Sequence, residues 1–117
     1  GLAAMFIACG QDVAHITNGS VGMTMFEITE EGALYAAVKL PNLIVGTVGG
    51  GTALPTQREC LQMIGCYGTG KAKKFAEIVA ATLLAGEVAI CAGITSRQFQ
   101  IPHKIARSYT RVKAFQQ

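Results

Sequence analysis

The chain has 117 residues, half of them hydrophobic, and a formal charge of +3 from ten basic and seven acidic side chains. Such a length and apolar content match one modest domain with a real core and exclude a disordered tail. The four cysteines, Cys9, Cys60, Cys66 and Cys91, lack CxxC spacing and lie far from His15 and His103, so they read as buried, reduced thiols of a cytosolic protein.

The sequence starts inside an apolar run without initiator Met, basic leader or cleavage site, which reads as a chain entered midway. Leu2, Met5, Phe6, Cys9, Val13 and Ile16 recur at steps of three or four and predict a helix, interrupted near Gly10. After the turn residues Asn18-Gly19-Ser20, Val21 to Ile28 and Ala33 to Leu40 read as two strands of a hairpin, separated by Glu30-Glu31-Gly32. Pro41-Asn42 breaks the pattern, and Gly46-Thr47-Val48-Gly49-Gly50-Gly51-Thr52 follows, where three consecutive glycines argue against the interior of a regular element. Thr56 and Glu59 have the spacing of a capping box, so a short helix is expected from there to about Gly65.

The stretch from Phe75 to Ile94 is twenty residues long with only Glu77 and Glu87 charged, and it reads as a long buried helix reaching from about Ala72 to Phe99. Ala81, Ala85, Ala89 and Gly93 recur four apart, giving a stripe where neighbouring backbone can approach. A membrane span needs about 20 apolar residues. Glu87 inside the run and Lys71, Lys73 and Lys74 before it favour a core helix instead. Pro102 ends the helix, and a basic tail from about residue 100 to 117 carries Lys104, Arg107, Arg111 and Lys113 without an acid. The order is α+β rather than regular βαβ: a glycine-rich loop and a hairpin or small sheet set around the long central helix.

Asp12 stands after a glycine in apolar surroundings, where a carboxylate works either as a proton relay or, more blandly, as a helix cap. His15, three residues on, touches it if the helix continues. His103 follows Pro102 among cations, which suits an acid that protonates an anionic leaving group, against the plainer reading of an exposed tail histidine. The three glycines let backbone approach a ligand, but match neither GxGxxG nor the P-loop. With two histidines and no carboxylate cluster, no metal is expected.

Taken together, Ile7-Ala8-Cys9-Gly10-Gln11-Asp12, Gly46 to Thr52, Cys60-Leu61-Gln62-Met63 and Leu84-Ala85-Gly86-Glu87 resemble 3-hydroxy-3-methylglutaryl-coenzyme A (HMG-CoA) reductase, from Gly1 to about Ser108. The resemblance implies that residues 1–117 are a carboxy-terminal fragment of that family's large catalytic domain. It implies NADPH-dependent reduction of HMG-CoA to mevalonate and free coenzyme A by two hydride transfers. Asp12 and His103 take catalytic roles by this resemblance, the histidine protonating the departing thiolate. Val48, Gly49, Gly50, Gly51 and Arg107 are implied at the cofactor, and Ile90, Gly93 and Ile94 at the substrate. A homodimer or an assembly of dimers is implied, as is a cytoplasmic enzyme with no membrane span in this chain, whether or not an anchor precedes it.

The sequence departs from the family pattern at Ile101-Pro102 before the histidine, at Lys104 after it, and at His15, where glutamine is common. The family's catalytic glutamate, lysine and NADP-binding domain do not appear here, so this chain supplies part of an active site and is inactive alone. One rival is an inert oligomerisation or binding module derived from the same domain. A second, a nucleic-acid binder using the basic tail, is weak because aromatic residues are few and the cations scattered.

Overall fold

The computed structural model describes residues 1–98; His103, Arg107 and the rest of the basic tail lie outside the described residues. The fold is α+β, with four α-helices and one antiparallel two-stranded sheet among the described residues. The chain divides into two units, Gly1–Gly86 and the residues from Glu87 onward.

In the first unit, α1 (Leu2–Ala8) places Leu2 and Phe6 on one buried face, with Cys9 continuing it. It stops at Gly10, whose φ of +67° turns the chain, while the Gly10 N–H donates to Ile7 O and the Gln11 N–H to Phe6 O. This is a Schellman closure with glycine at its left-handed position. The interruption expected near Gly10 is thus a designed stop, followed by a short 3-10 turn (Val13–His15) and α2 (Ile16–Gly19).

Strands β1 (Met23–Ile28) and β2 (Leu34–Lys39) form the expected hairpin, with Phe26 opposite Ala36 and Ile28 opposite Leu34. Gly32 closes its turn at φ +81°, its N–H donating to Thr29 O. The glycine loop is not wholly irregular, since Gly50–Ala53 form a 3-10 turn. Positive φ at Gly49 and Gly50 bends the backbone into it, and the Thr52 hydroxyl and N–H both donate to Gly49 O, at 2.6 and 3.2 Å.

Helix α3 (Pro55–Met63) begins earlier than the Thr56–Glu59 pattern suggests, and the capping box does not form. Leu54 is the N-cap and Pro55 occupies the first turn, where its missing N–H costs nothing and its fixed φ starts the helix. Thr56 therefore falls inside the helix. The other end repeats the closure of α1: Gly65 has φ +66°, its N–H donates to Gln62 O, and the Cys66 N–H donates to Leu61 O at 2.7 Å.

Helix α4 (Ala72–Thr95) starts where expected. Its first half builds the core: Phe75 and Val79, one turn apart, meet Leu2, Phe6, Cys9, Leu61 and Cys66, and Ile78 and Leu83 pack against that cluster. Burial does not extend along the whole helix: among the described residues Ala81, Ala85, Ile90 and Ile94 stay exposed. By length and composition α4 is also apolar enough to cross a membrane, a test that core helices pass too. Removing the fully buried ring of Phe75 leaves a cavity that its rigid neighbours cannot fill, so Phe75→Ala is expected to cost about 3–5 kcal/mol, read by urea unfolding.

The cysteines divide by burial. All four are free; Cys9 and Cys66 are buried, Cys60 is half-buried, and Cys91 is exposed, against the expectation that all are buried. Burial, then the neighbouring Cys60 and Cys66, pushes the Cys9 thiol above its ordinary pKa, so it is an inert packing group.

In the second unit, the last turns of α4 close at Thr95, short of Phe99. The Arg97 N–H donates to Ile94 O and the Gln98 N–H to Gly93 O. This is again a Schellman closure, here with Arg97 at φ +58° in the place usually held by glycine.

Candidate active site

Two loops meet in the first unit. The stop after α1 projects Gly10, Gln11 and Asp12 toward the glycine loop, and the two backbones touch at Gly10 and Gly51. A Cβ built on Gly10 would collide with the Gly51 carbonyl and lie 2.8 Å from Thr52 N. One built on Gly51 would lie 2.8 Å from Gly10 O. Only glycine at both positions allows this approach.

Side chains then tie the loops together. The Gln11 amide donates to Gly46 O at 2.9 Å and accepts from the Gly46 N–H at 2.7 Å, while its nitrogen also donates to Cys9 O at 2.9 Å. From the other side, the buried Thr47 hydroxyl donates to Gly68 O at 2.8 Å and the Gly68 N–H returns a bond to Thr47 O at 3.0 Å. The start of the glycine loop is thus held from two sides, and no buried side-chain oxygen or nitrogen among the described residues lacks a partner.

Between the loops lies an open cleft of about 540 Å³. Asp12, His15, Val48 and Gly49 to Gly51 all line it, with Ile7, Ile44 and Leu54 as its apolar wall. The exposed Asp12 carboxylate accepts from the Ala14 N–H at 2.9 Å, capping the 3-10 turn. The cap and a role at the cleft are therefore compatible in one residue. His15 meets Asp12 through its own backbone N–H, which donates to Asp12 O at 3.0 Å. Gly49 and Gly50 line the cleft, and among the described residues nothing lies within 4 Å of where a Cβ would stand on either, so their backbone is uncovered on that side.

Asp12, Val48, Gly49, Gly50 and Gly51, named from the sequence, are thus brought to one cleft. Ile90, Gly93 and Ile94 lie together on the last turns of α4, in the second unit, with Ile90 and Ile94 exposed. His103 and Arg107 lie outside the described residues. Gln11, Gly46 and Thr47 carry the loop arrangement without having been singled out. Gln11 stands inside the GQD segment, but its partner is 35 residues away and no spacing rule connects them.

One carboxylate, a run of glycine backbone and an apolar wall thus line a single open cleft, the kind of concave surface that holds small ligands. The chain belongs to the hydroxymethylglutaryl-coenzyme A reductase family, whose model matches residues 1–107. It is 50% identical over 103 residues to the 3-hydroxy-3-methylglutaryl-coenzyme A reductase of Methanocaldococcus jannaschii, covering 88% of this chain and 25% of that protein. The Pyrococcus abyssi reductase is 50% identical over 109 residues, covering 89% of this chain and 27% of its own length. A reductase of Oryza sativa subsp. indica is 40% identical over 102 residues, covering 81% and 19% respectively. The chain spans about a quarter of the length of the archaeal relatives.

Proposed function

We propose that this chain supplies the carboxy-terminal part of the large domain of an HMG-CoA reductase, contributing part of the site that reduces HMG-CoA to mevalonate and coenzyme A with NADPH. The observation that carries the reading is the meeting of Asp12 with the Gly49–Gly51 backbone at one cleft. Two molecules of NADPH, bound in turn, would supply one hydride each. The bare backbone at Gly49 and Gly50 fits the close approach of a flat ring, with Val48 adding an apolar edge. Arg107 is assigned to the cofactor phosphate by the resemblance, and Ile90, Gly93 and Ile94 to the substrate.

In this reading Asp12 holds and passes a proton at its carboxylate as the substrate carbonyl oxygen gains charge. His103 then protonates the coenzyme A sulfur as it departs. A free thiol has a pKa of about 8.5, so a positioned acid eases that departure. The large domain's remaining elements cover α4 and the hairpin, the whole protein works as a homodimer or an assembly of dimers, and it is cytoplasmic.

His103→Gln in the intact reductase tests the assignment. Thioester reduction is expected to slow by about 100-fold or more, the range of general acid catalysis, while reduction of free mevaldehyde is nearly unchanged because no thiolate leaves. Equal losses on both substrates would remove the leaving-group role. An intact protein that turns over neither substrate would favour the inert-module reading.

A further inference from the structure

We propose that Gln11 is a positioning residue whose amide clamps the Asp12 loop to the glycine loop and so fixes the distance between the carboxylate and the Gly49–Gly51 wall. The inference rests on the reductase reading and adds to it a cleft-lining residue whose side-chain amide is taken up by backbone groups of Cys9 and Gly46.

The side chain pairs with Gly46 as one strand pairs with another: donor to acceptor at 2.9 Å and acceptor to donor at 2.7 Å, with a further bond from the same nitrogen to Cys9 O. One amide thus holds its own loop, through Cys9, and the other loop, through Gly46. Both anchors are firm. The Schellman closure of α1 sets the Gln11 backbone, whose N–H donates to Phe6 O at 2.9 Å, and Phe6 is fully buried. The residue after Gly46 is the buried Thr47, tied to Gly68. Asp12 is the next residue after Gln11, and Val48 to Gly51 begin two residues after Gly46, so any slip in the clamp appears at the cleft. Gly10 and Gly51 fix how closely the backbones approach, but a single point of contact leaves the loops free to pivot. The Gln11 pair supplies a second point and removes that freedom.

A carboxylate cannot replace the amide. In Gln11→Glu one oxygen still accepts from Gly46 N–H, but the other faces the Gly46 and Cys9 carbonyl oxygens with no proton to share. The variant regains a donor only when protonated. Gln11→Leu keeps similar bulk and loses every bond at all pH values.

The test uses the intact reductase, HMG-CoA, and NADPH with or without deuterium at the transferred position. Gln11→Leu is expected to lower kcat by about 10- to 100-fold, the scale of a misplacement of about 1 Å, with a larger deuterium effect on kcat as hydride transfer becomes slower. Gln11→Glu, as a ratio to the parent at each pH, should recover as pH falls. Loss of folded protein alone lowers the amount of active enzyme and moves neither isotope effect nor KM. A rate loss with an unchanged isotope effect in Gln11→Leu, or a flat ratio in Gln11→Glu, would overturn the clamp. If Gln11→Leu does not fold, the pH ratio of Gln11→Glu decides alone. A parent that reduces no HMG-CoA overturns the functional reading and the clamp's catalytic purpose together, whereas an active parent with an indifferent Gln11 overturns the clamp only.

Discussion

Gly10→Ala is expected to destabilise the protein by about 2–5 kcal/mol and, in the reductase reading proposed above, to abolish HMG-CoA reduction by the intact enzyme in what remains folded. Two independent costs combine. An L-residue in the left-handed region costs roughly 1–2 kcal/mol, and Gly10 sits at φ +67° to end α1. Overpacking a tight contact costs about 1–3 kcal/mol more, and here the new methyl would meet backbone atoms of Gly51 and Thr52 rather than a side chain that can rotate away. Relief requires the two loops to separate, which opens the cleft between Asp12 and the glycines. Gly46→Ala is the matched control. Among the described residues no atom lies within 4 Å of its Cβ position, its φ is outside the positive region, and its N–H remains for Gln11, so a change within about 0.5 kcal/mol is expected. Urea unfolding of both variants checks the contrast. A Gly10→Ala protein as stable as its parent would mean that the Gly10–Gly51 contact yields without cost.

What the sequence discloses and what it hides divide along physical lines. Periodicity reports on single elements, so α1, the hairpin and α4 are legible from the spacing of Leu2, Phe6 and Cys9, from β-rich runs, and from the long apolar stretch. Local chemistry is legible only where one residue decides it. Pro55 overrides the capping box at Thr56 and Glu59, because a residue with fixed φ and no N–H starts a helix more firmly than a side chain three residues from its partner. The closing of α4 at Arg97 is hidden for the opposite reason: arginine gives no hint of left-handed backbone, and Pro102 points to a later end.

The site is legible as motifs but not as an arrangement. Asp12 and the glycines stand out by residue type, while their meeting depends on Gln11 finding a backbone partner 35 residues away and on two glycines in van der Waals contact. The exposure of Ile90 and Ile94 is hidden as well, since an apolar helix reads as buried whatever covers it. A pattern reports which face seeks cover, not what provides it.

Asp12→Asn separates the two roles that this residue can hold. As an N-cap, asparagine is about equal to aspartate, and its side-chain oxygen can still accept from the Ala14 N–H, so stability is expected to change by no more than about 0.5 kcal/mol. As a proton carrier the amide is useless, because it neither takes up nor releases a proton near neutral pH. A positioned acid or base contributes about 10²- to 10⁴-fold, so kcat for HMG-CoA in the intact reductase should fall by that order with little change in the unfolding midpoint. Asp12→Ala should show the same loss of rate and, in addition, lose about 1 kcal/mol as the 3-10 turn loses its cap. The comparison turns on the Asn variant. Were it to keep the parent's rate, Asp12 would be a cap that happens to face the cleft, and the proton would have to come from another group on that wall, of which His15 is the nearest in sequence.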